Sequence, residues 1–133
     1  MSFTGGCQCG AVRYAVSVDP LEIYACHCRE CQKQSASAFG ISVIVPARTF
    51  ELKQGRLRSW SRATDSGGTL VCSFCEVCGT RIHHSDGRET NISVKGGSLD
   101  EAVDLTNAMH IWTKRKLRGV IIPDHATQFP EEP

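Results

Sequence analysis

Cys26-His27-Cys28-Arg29-Glu30-Cys31 places three thiols within six residues. Cys7-Gln8-Cys9 precedes this stretch, and Cys72, Cys75 and Cys78 follow it. Zinc takes four ligands in a tetrahedron, with thiolate sulfur at about 2.3 Å. Cys75-Glu76-Val77-Cys78-Gly79 is a strong half-site, because two thiols three apart at a tight turn grip one metal. Gly79 can adopt positive φ there and let backbone N–H groups face sulfur. Cys7 and Cys9, running into a strand, supply the other two ligands. The sum is a four-thiolate site with no open position, which reads as structural.

Cys26, Cys28 and Cys31 remain. Three protein ligands imply a fourth position that is vacant, watered or taken by substrate, as in catalytic zinc sites. Three thiolates leave the ion with a net charge of about −1, so a bound water is acidified less than at a histidine site. Hydrolysis is therefore a poor fit. A soft, sulfur-rich zinc suits a thiol substrate, whose pKa falls on binding and whose thiolate can attack an aldehyde carbon. Cys26, Cys28 and Cys31 are the expected catalytic set, with His27 or His110 moving a proton.

Each assignment has a rival. A histidine (His27, His83, His84 or His110) could close the Cys26 site and leave a non-catalytic zinc module that binds a protein partner. His27 has the wrong strand parity for this, since Cys26 and Cys28 point to the other side. Cys72 shares a face with Leu70 and Phe74, away from Cys75, and reads as a buried free thiol.

The elements that must position these thiols are short. Gly10–Val18 alternates, with Val12, Tyr14, Val16 and Val18 on one face, and reads as a half-buried strand. Leu21–Ala25 predicts a strand that delivers Cys26, and 29–37 a short helix or turn carrying Cys31. Ala38–Val45 predicts a strand with Phe39, Ile41, Val43 and Val45 on its heavy face, ended by Pro46. Residues 50–52 and 56–62 suggest a hairpin around Gln54-Gly55. Thr64–Gly68 reads as a mobile polar turn. Thr69–Phe74 should pair with Thr80–His84, and Asn91–Val94 forms a short strand. Ser98-Leu99-Asp100-Glu101 suggests a capped helical turn. Ala108–Trp112 is a late strand, before a loose tail. Either Trp60 or Trp112 could line a pocket, although a core or edge position is the plainer reading for each. Long helical periodicity is missing, so the fold class is mostly β: antiparallel sheets with few helical turns.

The 133 residues suit one domain, 1–133. The formal charge of +1 gives no strong positive field and argues against nucleic-acid binding. No apolar run reaches membrane-spanning length. Met1-Ser2-Phe3-Thr4-Gly5-Gly6 lacks the basic start and apolar stretch of a secretion signal. Eight cysteines without such a signal predict reduced thiols, a cytoplasmic location and metal binding rather than disulfides.

Taken together, Cys7-Gln8-Cys9-Gly10, Cys26-His27-Cys28-Arg29-Glu30-Cys31 and Phe74-Cys75-Glu76-Val77-Cys78-Gly79-Thr80 resemble the glutathione-dependent formaldehyde-activating enzyme family. Val45-Pro46, Phe50, Gly55, Gly96-Gly97-Ser98-Leu99-Asp100 and His110 fall in that family's order. The resemblance implies a tent-like β fold pinned by two zinc ions. It implies structural zinc at Cys7, Cys9, Cys75 and Cys78, and catalytic zinc at Cys26, Cys28 and Cys31. The implied activity joins formaldehyde to glutathione, giving S-hydroxymethylglutathione, formally a carbon–sulfur lyase run in reverse. The implied partners are thus small thiols and aldehydes. Lys114-Arg115-Lys116 could meet glutathione carboxylates, although a solvated run is the plainer reading.

Overall fold

The computed structural model describes residues 3–65, 67–87 and 90–133. The chain is mostly β. Its strands are β1 (Phe3–Gly6), β2 (Arg13–Val16), β3 (Glu22–Cys26), β4 (Gly40–Pro46), β5 (Phe50–Gln54), β6 (Leu57–Ala63), β7 (Thr69–Cys75), β8 (Arg81–Ser85), β9 (Asn91–Lys95) and β10 (Met109–Ile111). One helix, α1 (Arg29–Ser35), follows β3. A three-stranded sheet runs β1-β2-β5, and a seven-stranded sheet runs β10-β3-β4-β9-β8-β7-β6. All strand pairs are antiparallel except β10 on β3.

The main core gathers the alternating faces of both sheets. Val12, Tyr14 and Val16 meet Val43, Val45, Ile82, Ile92 and Val94, with Cys75 at its edge. Tyr14 stacks on Phe50 at 5.0 Å between centroids, and its hydroxyl lies 2.8 Å from Ser98 Oγ. That bond satisfies the polar end of a ring otherwise enclosed by apolar groups. A smaller cluster forms around Cys26, Cys31 and Ile111, covered by Tyr24, Trp112 and Phe129.

The expected hairpin around Gln54-Gly55 does not form. β5 pairs with β2, whereas β6 pairs with β7, so the chain changes sheets at this point. Tight two-residue hairpins favour turns with positive φ at one or both central residues, as in Asn-Gly. Gln-Gly suits that poorly, and Phe50 gains more by stacking on Tyr14. β1 lies outside the expected strands; its Thr4-Gly5-Gly6 run has weak strand propensity, and its pairing with β2 supplies what the side chains do not.

The capped turn also falls elsewhere. A single 3-10 turn covers Gly96–Ser98, and the Ser98 hydroxyl donates to Lys95 O at 2.7 Å. Asp100 instead accepts from Arg13 Nη1 at 2.9 Å and Nη2 at 2.5 Å, tying this turn to β2. The heavy face of β4 holds at Ile41, Val43 and Val45, but Phe39 turns to pack on His27 at 5.1 Å. The tail is held rather than loose. Phe129 N–H donates to His110 O at 2.9 Å, Trp112 N–H to Glu131 O at 3.0 Å, and Trp112 Nε1 to Glu132 at 2.9 Å. No helix among the described residues is long and apolar enough to cross a membrane.

Candidate metal centres and the cleft beside one of them

All eight cysteines are free, and seven converge in two groups. Cys7, Cys9, Cys75 and Cys78 form one; Cys26, Cys28 and Cys31 form the other. Within each group every sulfur lies within 4.8 Å of the rest. Metal–sulfur bonds of about 2.3 Å would set tetrahedral sulfurs about 3.8 Å apart. Cys7 and Cys9 sulfurs are 3.5 Å apart, and Cys9 and Cys75 sulfurs 3.9 Å. The four-sulfur group therefore fits a tetrahedral ion such as zinc without rearrangement.

The first group joins the two sheets. Cys7 and Cys9 sit in the turn after β1 rather than in extended backbone, since Gly10 N–H donates to Cys7 O at 3.2 Å and Cys7 N–H to Val12 O at 3.1 Å. Cys75 ends β7, and Cys78 lies in the β7–β8 turn, where Gly79 takes φ +81°. Backbone N–H groups face the sulfurs: Val12 to Cys7 at 3.1 Å and Val77 to Cys75 at 3.3 Å. Such donors stabilise thiolate over thiol. The Thr80 hydroxyl, 3.2 Å from Cys78 Sγ, acts with the Thr80 N–H to lower that thiol's pKa to about 5.

The second group is built on one corner. Cys26 closes β3, Cys28 caps α1 and Cys31 lies in its first turn. The Cys28 sulfur accepts from Cys31 N–H at 3.3 Å. Hydrogen bonds from Cys26 and Cys31 push the Cys28 thiol down to about 2, while its bonds with Cys28 and Cys31 push Cys26 up. A divalent ion held there would let all three ionise. Gln32 braces the corner, its amide donating to His27 O at 2.8 Å and Arg115 O at 3.0 Å. Gly40 allows α1 to sit close on β4. A Cβ there would come 2.8 Å from Gln34 Nε2 and 3.1 Å from Cys31 Cβ.

Among the described residues no histidine, cysteine or carboxylate joins the trio as a fourth ligand. His27 is fully buried and turned away, with Nε2 2.9 Å from His110 Nδ1. Burial, then the neighbouring His110, lowers its pKa to about 4. Neither His27 nor His110 lines either of the two clefts described below. His83 packs on Phe50 at 4.9 Å, and His84 faces Lys95.

Cys31 opens onto a cleft of about 210 Å³ lined also by Trp60, Arg62, Cys72, Arg81 and His84. Trp60 is on the edge strand β6 and 52% exposed, forming a wall with the Arg81 guanidinium 5.8 Å from its ring. Cys72 is buried and joins neither sulfur group. A second cleft of similar size adjoins it, lined by Gln34, Phe39, Arg81, Lys95 and Ser98. Gln34 and Arg81 border both. Of the basic run, Lys114 pairs with Glu131 and lies over Trp112, and Lys116 donates to Val120 O at 2.8 Å. None of its three residues lines either cleft.

Sequence reasoning passed over Lys95, Gln34 and Arg81. A signal existed for Lys95: in Asn91-Ile92-Ser93-Val94-Lys95 it shares the Ser93 face of β9. That strand is interior to its sheet, and side chains on both of its faces are buried, Ile92 and Val94 on one and Ser93 and Lys95 on the other, so that Lys95 is only 7% exposed.

A mostly β protein with one four-sulfur and one three-sulfur cluster is the class that this fold and these sites define. The sequence model of the glutathione-dependent formaldehyde-activating enzymes matches residues 2–115, and the chain belongs to that family. A crystal structure of a Rhodobacter sphaeroides protein, solved as a structural-genomics target, shares the fold with a TM-score of 0.63. The two chains are 22% identical, with 80% of this chain and 98% of that one covered.

Proposed function

We propose that the protein is a zinc-dependent enzyme of the carbon–sulfur lyase type, adding a small aldehyde such as formaldehyde to a thiol such as glutathione, or removing it. The observation that carries this reading is the three-sulfur group at the edge of a cleft, with no fourth protein ligand among the described residues. Cys26, Cys28 and Cys31 would hold the catalytic zinc. Bound there, zinc would lower the pKa of a thiol in its fourth position and keep it nucleophilic. Cys7, Cys9, Cys75 and Cys78 would hold a structural zinc that fastens the two sheets.

The rest of the site supplies orientation. Lys33, Arg62 and Arg81 border the first cleft against one acid, Glu30. That balance favours a thiol bearing carboxylates, and the indole of Trp60 gives it an apolar wall. Burial of Cys26 and Cys31 keeps bulk water off the sulfur side. Such thiols and such a metal site require a reducing compartment, which fits a cytoplasmic location.

The test is magnetisation exchange between formaldehyde and S-hydroxymethylglutathione, followed by NMR with the zinc-loaded protein. Faster exchange than in buffer, abolished in Cys28→Ser, supports the enzyme. Two zinc ions with no acceleration for glutathione or smaller acidic thiols would leave the non-catalytic zinc module as the better account.

A further inference from the structure

Lys95 and Gln34 form a pair of donors that lack an anionic acceptor. Lys95 is almost wholly buried on β9. Its ammonium has a neutral neighbour, His84 Nδ1, at 3.4 Å. Among the described residues no carboxylate lies within ion-pair distance of it. Gln34, on α1, has a buried amide nitrogen without a hydrogen-bond partner. Gly40 leaves room for that nitrogen: a Cβ there would come 2.8 Å from Gln34 Nε2 and 3.5 Å from Cys31 Sγ, so both groups flank the same point on β4. Gln34 and Lys95 line the same cleft, while His84 and Cys31 line the adjoining one.

Burying an ammonium with only a neutral acceptor, and an amide nitrogen with none, costs stability. Burial holds the Lys95 pKa below its ordinary value, and the neighbouring Cys31 and Cys26 offset this only in part. Two donors beside the reacting sulfur corner, held on a helix and a strand, are what an oxygen that becomes negative requires.

We infer that Lys95, assisted by Gln34, binds the carbonyl oxygen of the aldehyde and stabilises it as an alkoxide while the thiolate adds; this rests on the function proposed above. In the step, a sulfur lone pair forms the C–S bond and the C=O π pair moves onto oxygen. The alkoxide takes up one proton, equal in number to the proton the thiol sheds on ionising. The sum is RSH plus H₂CO giving RSCH₂OH, with no redox change. Lys95 is thus a catalytic residue and Gln34 a second donor to the same oxygen.

Lys95→Met keeps the side-chain length and removes the charge, a change that buried sites often tolerate. Gln34→Leu removes the second donor. Zinc content and melting temperature report whether each variant is folded and loaded. Two measurements follow on the zinc-loaded protein. Calorimetry compares thioglycolate, whose carboxylate oxygen stands near the alkoxide position, with neutral ethanethiol. NMR gives the formaldehyde exchange rate. The wild type should prefer thioglycolate, and Lys95→Met should lose about tenfold or more of that preference while binding ethanethiol as before. Exchange should fall by about 100-fold in Lys95→Met and less in Gln34→Leu. An unchanged preference in Lys95→Met, or no thioglycolate preference in the wild type, overturns the assignment. A wild type that shows the preference yet fails to accelerate exchange sinks the enzyme reading and leaves an oxyanion site standing.

Discussion

At the scale of single residues, the distinction between the two sulfur groups is a difference in ligand count. Replacing Cys28 with serine removes one of three sulfurs where three must suffice. The expected outcome is about one zinc per chain in place of about two, with a fold that still melts cooperatively. Elemental analysis alongside circular dichroism checks it. Loss of both ions would show that the corner and the sheet clasp are one unit. Gly40→Ala tests the same corner by crowding it. The added methyl would displace the Gln34 amide and press Cys31 Cβ back by a few tenths of an ångström, at a cost of about 1 kcal/mol and with weaker zinc at the trio. Denaturant titration and zinc competition read the two effects. The thiols at both groups were legible from spacing alone, because a metal's bite fixes how far apart ligands on one short segment can be. Lys95 was not: a lysine in a strand is ordinarily solvated, and only the packing around β9 reveals that this one is covered.

Among the elements, the β1–β2 ribbon is bound to the turn after β9 by Arg13, Thr4 and Asp100. Thr4 Oγ1 lies 2.5 Å from Asp100 Oδ2, and Thr4 O accepts from Asp100 N–H at 2.9 Å. The Arg13 guanidinium, then the Thr4 hydroxyl, hold the Asp100 carboxyl down to about 2. A depressed folded pKa gives stability that is present above the ordinary carboxylate range and fades as pH falls towards about 2. Asp100→Asn should therefore melt lower at neutral pH, by on the order of a degree or two because the pair is exposed. The gap should close near pH 2. A constant gap across that range would show that the carboxylate charge contributes nothing. His84 has the opposite charge and the same direction with pH. Burial, then Lys95, lowers its pKa to about 3, so it is neutral when folded. Acidification from the ordinary histidine range towards about 3 makes the unfolded chain the better proton acceptor and should cost stability. His84→Asn should flatten the melting curve over that interval. Element types were readable from alternation and from Pro46, and so was the pairing of β7 with β8 across the Cys75–Gly79 turn; other partners were not, as the separation of β5 from β6 shows. Alternation tells which face of a strand is apolar, but the identity of its neighbour is set by which apolar faces fit together.

For the whole molecule, the four-sulfur group joins the β1–β2 turn of one sheet to the β7–β8 turn of the other. The trio joins β3 to α1 within one sheet. Removing metal should then have two consequences. A chelator should first expose the Cys26 group with little change in fold. Release at Cys7, Cys9, Cys75 and Cys78 should come later and unfasten the sheets, with a large loss of tertiary signal. Thiol titration run beside near-ultraviolet circular dichroism distinguishes this from a single concerted release. Residue order by itself determined the closely spaced sulfur clusters, the β character and the position of α1, since each depends on chemistry within a few neighbours along the chain. The absence of a fourth ligand among the described residues, the turning of His27 towards His110, and the placing of a buried lysine and an unsatisfied amide on one cleft were decided only when distant segments came together. Those features depend on which faces become covered, and coverage is a property of packing in three dimensions.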